Sequence, residues 1–116
     1  MLSEKDALRL RHMLDYSREA VELVRGRSRP DLDRDRLLEL ALVRLIEVVG
    51  EAASRVSPQA QAQYPQVPWA LIAGMRNRLV HGYDTIDHDV LWRTLTDDLP
   101  ALIGELEAIV PPAARG

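Results

Sequence analysis

The stretch LLELALVRLIEVVGEAA, residues 37–53, decides the fold, because its apolar side chains are too dense to lie on one face of a helix. A helix that is apolar on most sides must be buried on most sides. We expect this helix to begin at Asp31 or Asp33, which are N-cap candidates, and to end near Val56. A chain of 116 residues has room for one domain, in which one layer of neighbouring helices would not cover such a helix. We therefore expect part of its surface to meet a second subunit.

A first helix is predicted ahead of the central one, from about residue 4 to residue 24. Its apolar residues recur at three- and four-residue spacing, which is typical of one helix face. Ser3 is the N-cap candidate, and Gly26 is a residue that stops a helix.

Two more helices are predicted beyond the central one. A third helix should run from Trp69 to about Val80 or His81, with Pro68 in its first position and Gly82 just beyond its end. Asp87 is expected to cap a fourth helix, which Pro100 should kink or split. Together these segments predict an all-α protein, an up-down bundle of four helices, or of five if the proline divides the last.

The chain is expected to form a single domain over residues 1–116, with residues 113–116 as a mobile tail. No segment alternates apolar and polar residues in the way a half-buried strand does, so strands are not expected.

Composition argues against several classes of protein. The net charge of −3 is not that of a dedicated duplex-DNA binder. With no cysteine, the chain has no disulfide, thiolate nucleophile or zinc–thiolate site. The first residues lack the apolar core of a signal peptide, and no apolar run approaches the length of a membrane span. These features predict a cytoplasmic protein that does not enter the membrane.

The segment RNRLVHGY, residues 76–83, concentrates polar groups that a purely structural helix does not need. In a regular helix, residues five apart point about 140° from each other, so Arg76 and His81 would not share a face. They can converge if the helix unwinds before Gly82, or if two copies of the segment face each other across a dimer axis.

The residue types in this segment suit the transfer of a phosphate ester without a metal. Arg76 offers a fixed positive fork for phosphate oxygens, and Asn77 adds a neutral hydrogen-bonding group. Imidazole is the side chain that exchanges protons near neutral pH, and His81 lies in or just past the last turn of the third helix. RNA supplies an internal nucleophile, its 2′-hydroxyl, so these residues are candidates for cleaving RNA to a 2′,3′-cyclic phosphate.

The motif Arg76-x4-His81-x-Tyr83 resembles the R-x4-H-x-Y motif of HepT-type proteins, which lie within the HEPN group of helical ribonucleases. The likeness extends to most of the chain, from the central helix to Leu106. Its flanking positions are Val49-Gly50-Glu51-Ala52, Val67-Pro68-Trp69, Gly74-Met75-Arg76-Asn77, Leu91-Trp92 and Asp98-Leu99-Pro100.

The resemblance implies a toxin from a two-gene toxin–antitoxin module. Such a protein is a homodimer whose two motifs face one cleft, and it cleaves RNA without metal or other cofactor. Arg76 and His81 are then the catalytic residues, with Asn77 in support. The partner implied is a minimal nucleotidyltransferase antitoxin of the MNT type, which transfers AMP onto Tyr83 and so blocks the RNA site.

Other interpretations remain open at this point. The chain could be a non-catalytic helical adaptor that regulates a nucleotidyltransferase, or a nucleotide-binding domain. Arg78 is interpreted as a solvated or RNA-facing charge. His88 with Asp84, Asp87 and Asp89 could be a metal site, but an acidic helix start is the commoner arrangement, and no metal is expected.

Charged residues also recur along the central helix at three- and four-residue spacing: Arg44, Glu47, Glu51 and Arg55. They are predicted to form ion pairs within the helix.

Overall fold

The computed structural model describes residues 2–111, and its regular structure is almost entirely helical. This confirms the all-α prediction. The predicted tail at 113–116 lies outside the described residues. In chain order the elements are α1 (Glu4–Leu23), α2 (Asp31–Arg34), α3 (Arg36–Arg55), α4 (Pro58–Gln63), α5 (Trp69–Ala73), α6 (Met75–Leu79), β1 (Val80–His81), β2 (Thr85–Ile86), α7 (His88–Arg93), a π-helical segment (Thr94–Asp98) and α8 (Leu99–Ile109).

The long helices α1 and α3 form the centre of the bundle, and α8 closes it against α1. As predicted, α1 begins at Ser3, whose hydroxyl accepts a hydrogen bond from the Asp6 N–H at 3.0 Å. The core is made almost wholly of aliphatic side chains, because the chain has no phenylalanine. Fully buried members include Leu10, Met13, Leu14, Leu42, Ile46, Ile72, Met75, Leu79, Leu91, Leu95 and Leu99.

The start of α3 differs from the prediction. Asp35 is the N-cap, and its carboxylate accepts from the Leu38 N–H at 3.0 Å. Asp31 is occupied elsewhere, since its carboxylate accepts from the Ser28 N–H at 2.7 Å. The expectation of a cap at Asp31 or Asp33 was wrong because both residues lie in the separate short helix α2.

The segment between α3 and residue 69, in which no helix was predicted, contains the short helix α4. Ser57 caps α4 by accepting from the Ala60 N–H at 3.2 Å, and Pro58 occupies its first turn. The indole N–H of Trp69 donates to the Gln61 carbonyl at 3.1 Å. This bond ties the end of α4 to the start of α5.

The third helix is shorter and more broken than predicted. Gly74 separates α5 from α6, and α6 ends at Leu79 instead of running on to Val80 or His81. Pro68 precedes the first helical residue as the N-cap and does not occupy it.

A two-residue hairpin follows α6, although no strand was expected. Strand β1 pairs antiparallel with β2, with Val80 opposite Ile86 and His81 opposite Thr85. Gly82 has a φ of +69°, a left-handed conformation that glycine adopts without steric cost. Gly82 is therefore a turn residue of the hairpin and not the end of a helix.

The last part of the chain is divided as predicted. Asp87 caps α7, and Pro100 lies in the first turn of α8. The π-helical segment connects the two helices.

The central helix buries most of its apolar residues and leaves a few in contact with solvent. Leu37 is 79% exposed and Leu40 is 49% exposed, so neighbouring elements of the same chain do not cover the whole helix. Burial by a second subunit remains a prediction. Among residues 2–111, no helix is both long and apolar enough to cross a membrane.

Candidate active site

The hairpin places the motif residues on three successive elements. Arg76 lies on α6, His81 ends β1, and Tyr83 lies in the turn that begins at Gly82. The Asp87 N–H donates to the Leu79 carbonyl at 2.8 Å, which closes the base of the hairpin. The helix thus ends before the turn, which meets the condition for one of the two predicted routes; convergence of Arg76 and His81 itself stays a prediction.

His81 presents an exposed imidazole that is held from one side. Its side chain is 64% exposed, and its Nε2 lies 3.4 Å from Oδ2 of Asp87. Since Nε2 faces the carboxylate, Nδ1 is the ring nitrogen left for another molecule. An imidazole in this setting can exchange a proton with a bound substrate.

Asp87 is fixed by the helix that it caps. Its Oδ1 accepts from the Asp89 N–H at 3.0 Å and the Val90 N–H at 3.1 Å. The bond from Val90 is the main cause of a lowered carboxyl pKa, with smaller contributions from Asp89 and from the nearby His81, while burial acts in the opposite direction. An ionised carboxylate therefore stands beside the imidazole.

Sequence reasoning missed this contact. It identified Asp87 as a helix cap and as one member of an acidic cluster, but not as a neighbour of His81. The pairing depends on the hairpin register, and the short strands gave no periodic signal by which it could be found.

Arg76 is exposed and loosely paired. Its side chain is 47% exposed, with Nε 3.8 Å from Oε2 of Glu47 and Nη1 3.5 Å from Oδ1 of Asn77. Glu47 is shared with Arg44, whose Nη1 lies 2.7 Å from its other oxygen. Exposed ion pairs contribute about 0–1 kcal/mol, so the guanidinium is available to an anionic ligand.

The predicted ion pairs within α3 are present. Besides the pair of Arg44 and Glu47, Arg55 contacts Glu51 at 3.5 Å. What the sequence did not indicate is that Glu47 also reaches Arg76 on α6.

A groove of about 250 Å³ separates α3 from the motif segment. Tyr83 stands at its edge and is 98% exposed, while the α3 side supplies both apolar and charged groups. The groove is lined by Arg36, Glu39, Leu40, Val43, Arg44, Glu47, Arg76, Val80, Tyr83, Asp84 and Ile86.

Arg78 does not join this groove. Its Nη2 donates to the Leu71 carbonyl at 3.0 Å, and its side chain borders a different depression beside Arg93 and Asp97. Residues two apart on a helix point about 160° from each other, which accounts for its separation from Arg76. The interpretation of Arg78 as an RNA-facing charge remains a prediction.

The acidic residues and the histidine that follow the hairpin each contact a different partner. Asp87 contacts His81, Asp89 pairs with Arg29 at 2.8 Å, and His88 contacts Asp33 at 2.7 Å. Within residues 2–111, no group of three or more His, Cys, Asp or Glu side chains is arranged to hold a metal ion. These residues therefore belong to ion pairs and a helix cap.

Comparison with known proteins identifies close relatives over most of the chain. A Thermococcus cleftensis protein named "Probable ribonuclease HepT" is 34% identical over 95 residues, covering 78% of this chain and 86% of the relative. A Caldanaerobacter subterraneus protein named as an RNase is 33% identical over 101 residues, 87% of this chain and 90% of the relative. A Methanocaldococcus jannaschii protein, also named as an RNase, is 27% identical over 97 residues, 84% of this chain and 89% of the relative. No solved structure gives a significant match.

The family described as Ribonuclease HepT-like matches residues 13–109. This range runs from within α1 to the end of α8 and includes the whole R-x4-H-x-Y segment. The match and the relatives confirm the resemblance to HepT-type proteins, and the chain therefore belongs to the HepT-like ribonuclease family.

Proposed function

We propose that this protein is a metal-independent endoribonuclease in which Arg76 holds the scissile phosphate and His81 moves the protons. The observation that carries the proposal is the position of an exposed imidazole beside Asp87, shortly after a helix that bears an exposed, loosely paired arginine. Membership of a ribonuclease family makes RNA the substrate to test first.

The reaction needs only groups that RNA and these residues supply. The 2′-oxygen attacks the adjacent phosphorus while its proton passes to an imidazole nitrogen. The bond from phosphorus to the 5′-oxygen breaks, and the departing oxygen takes a proton from an imidazolium. Arg76 offsets the negative charge that develops on the phosphate oxygens, with Asn77 positioned beside it. The products are a 2′,3′-cyclic phosphate and a 5′-hydroxyl.

We further propose that the active form is a homodimer with both motifs in one cleft. Leu37 and Leu40 leave apolar surface exposed on α3, and the second of these lines the groove next to Arg76. The groove of a single protomer is smaller than the roughly 300–1,000 Å³ of typical ligand sites, so a facing copy would both cover the leucines and enlarge the site. A dimer also supplies two His81 side chains, one as base and one as acid.

In this proposal the protein is the toxin of a cytoplasmic toxin–antitoxin pair, and its partner is a minimal nucleotidyltransferase of the MNT type. Tyr83 is the position at which that partner would attach AMP. The side chain is almost fully exposed and borders the groove that contains Arg76. An added nucleotide would fill this space, and its phosphate would compete with RNA for the arginine.

The test is cleavage of RNA by the purified protein in excess EDTA, with His81→Ala and Arg76→Ala as variants. We expect wild-type protein alone to cleave at a measurable rate and to leave 2′,3′-cyclic phosphate ends. Retained helicity and association of both variants would show that chemistry, and not folding, was lost. Products with 5′-phosphate ends would contradict the mechanism, and absence of cleavage by unmodified wild-type protein would favour the adaptor interpretation.

A further inference from the structure

We propose that Asp87 is a positioning residue that orients the imidazole of His81, with Nε2 toward the carboxylate and Nδ1 toward the substrate. The inference rests on the proposed function of His81 in proton transfer. Its basis is the distance of 3.4 Å between Oδ2 of Asp87 and Nε2 of His81, two residues that the hairpin brings together.

The carboxylate is suited to this role because its other contacts fix its direction. Oδ1 accepts from the N–H groups of Asp89 and Val90, and the Asp87 backbone N–H donates to the Leu79 carbonyl. The side chain therefore bonds forward to α7 while its backbone bonds back to α6. Only Oδ2 remains for His81.

The next residue fixes the start of α7 against the central helix. Nδ1 of His88 lies 2.7 Å from Asp33 on α2, and its Nε2 contacts Glu39 on α3, whose side chain is 9% exposed. His88 thus connects the start of α7 to α2 and α3, while the preceding residue, Asp87, contacts His81.

The separation of 3.4 Å is longer than the 2.7–2.9 Å typical of a charge-assisted hydrogen bond. Catalytic hydrogen bonds are often long in the free protein and shorten when substrate binds. A modest rotation of the exposed imidazole would make this contact a hydrogen bond without moving the fixed carboxylate.

The chemical consequence concerns which ring nitrogen carries the proton. A carboxylate that accepts from Nε2–H stabilises that tautomer and leaves the lone pair of Nδ1 free to accept the 2′-hydroxyl proton. Once Nδ1 is protonated, the same carboxylate stabilises the imidazolium. The role parallels that of the aspartate in the Ser-His-Asp triad, which orients its histidine without becoming protonated.

Asp87→Asn is the informative substitution, because asparagine is as good an N-cap as aspartate but cannot act as an ionised acceptor. Asp89→Asn is the matched control: it removes a charge from the same helix start, at a residue whose carboxylate contacts Arg29 and not His81. Asp87→Ser, another good cap without a carboxylate, serves if the asparagine variant does not fold.

The first measurement is the tautomer of His81 from ¹⁵N histidine NMR at a pH where the ring is neutral. The signals of the three histidines are assigned with single His→Gln variants. Wild type and Asp89→Asn should show Nε2–H, whereas Asp87→Asn should show a mixture. The second measurement is RNA cleavage, where we expect kcat to fall by at least about 10-fold in Asp87→Asn and by at most about 10⁴-fold, the loss seen for the aspartate of the Ser-His-Asp triad, with little change in KM.

An unchanged tautomer in Asp87→Asn, or equal effects in Asp89→Asn, would overturn the positioning role. The NMR result does not depend on catalysis. A tautomer change in a protein that never cleaves RNA would therefore refute the proposed function while retaining the orienting contact.

Discussion

Substitution of Gly50 by alanine tests how closely α3 must approach α5. A Cβ built at Gly50 would lie 3.2 Å from the Ile72 carbonyl oxygen and 3.3 Å from that of Ala73. Both neighbours are backbone atoms in the last turn of α5, so relief of the contact requires one helix to move and not merely a side chain to rotate. Gly104, in the exposed middle of α8, has nothing within 4 Å of such a Cβ.

Two effects of opposite sign decide the outcome. Replacing glycine by alanine inside a helix stabilises it by about 1 kcal/mol, and this gain applies to both positions. Overpacking a close contact is destabilising by about 1–3 kcal/mol, and this loss applies to Gly50 alone. We expect Gly104→Ala to raise the free energy of unfolding by about 1 kcal/mol, and Gly50→Ala to change it by roughly 0 to −2 kcal/mol.

Urea unfolding, followed by circular dichroism, measures the free energy of unfolding of wild type and both variants. Unchanged m-values would show that the same two states are compared. The difference between the variants isolates the contact with α5, because the helix-propensity term is common to both. If Gly50→Ala proved as stable as Gly104→Ala, the close approach would carry no energetic weight and the reasoning would be refuted.

Three further predictions concern pH and association. The pKa of His88 is raised, chiefly by its hydrogen bond with Asp33. Its stabilising contribution should therefore be complete below about pH 6.5 and should be lost as the pH rises through the folded-state pKa. The free energies of unfolding of wild type and His88→Gln, measured at pH 6 and pH 9, should converge at the higher pH. The pKa of Asp6 is lowered, chiefly by the hydroxyl of Ser57. Its contribution to stability should therefore be present above about pH 4 and be lost on acidification. Asp6→Asn should flatten the acidic part of the plot of unfolding free energy against pH, and an unchanged plot would contradict the assignment. Leu40→Glu should shift the proposed dimer to monomer in sedimentation without loss of helicity, whereas an unaltered dimer would place the interface elsewhere.

Sequence periodicity predicted the long helices because each carries many apolar residues at regular spacing. It did not place the short elements correctly. The cap candidates Asp31 and Asp33 are engaged by Ser28 and Arg29, and the cap is Asp35, which sequence reasoning did not select. Helix α4 has few apolar residues, and its hydrogen bond from the Trp69 indole N–H to the Gln61 carbonyl is a contact that local sequence does not reveal.

For the site, the motif residues could be predicted but their neighbours could not. Arg76 and His81 are identified by residue type and spacing. Their contacts with Glu47 and Asp87 arise from α3 crossing α6 and from a two-residue hairpin. A hairpin this short depends on one turn glycine and a few backbone bonds, which periodicity does not detect.

The hydrogen bond from the Asp87 N–H to the Leu79 carbonyl has a consequence for where this chain can tolerate change. It joins the residues that flank the two strands at the base of the hairpin. Residues 82–84 form the tip, whose length and side chains can change without breaking this bond. Loop tips are where insertions are best tolerated. Changes at this tip are therefore expected to leave Arg76 on α6, and the backbone bond at the base of the hairpin, in place.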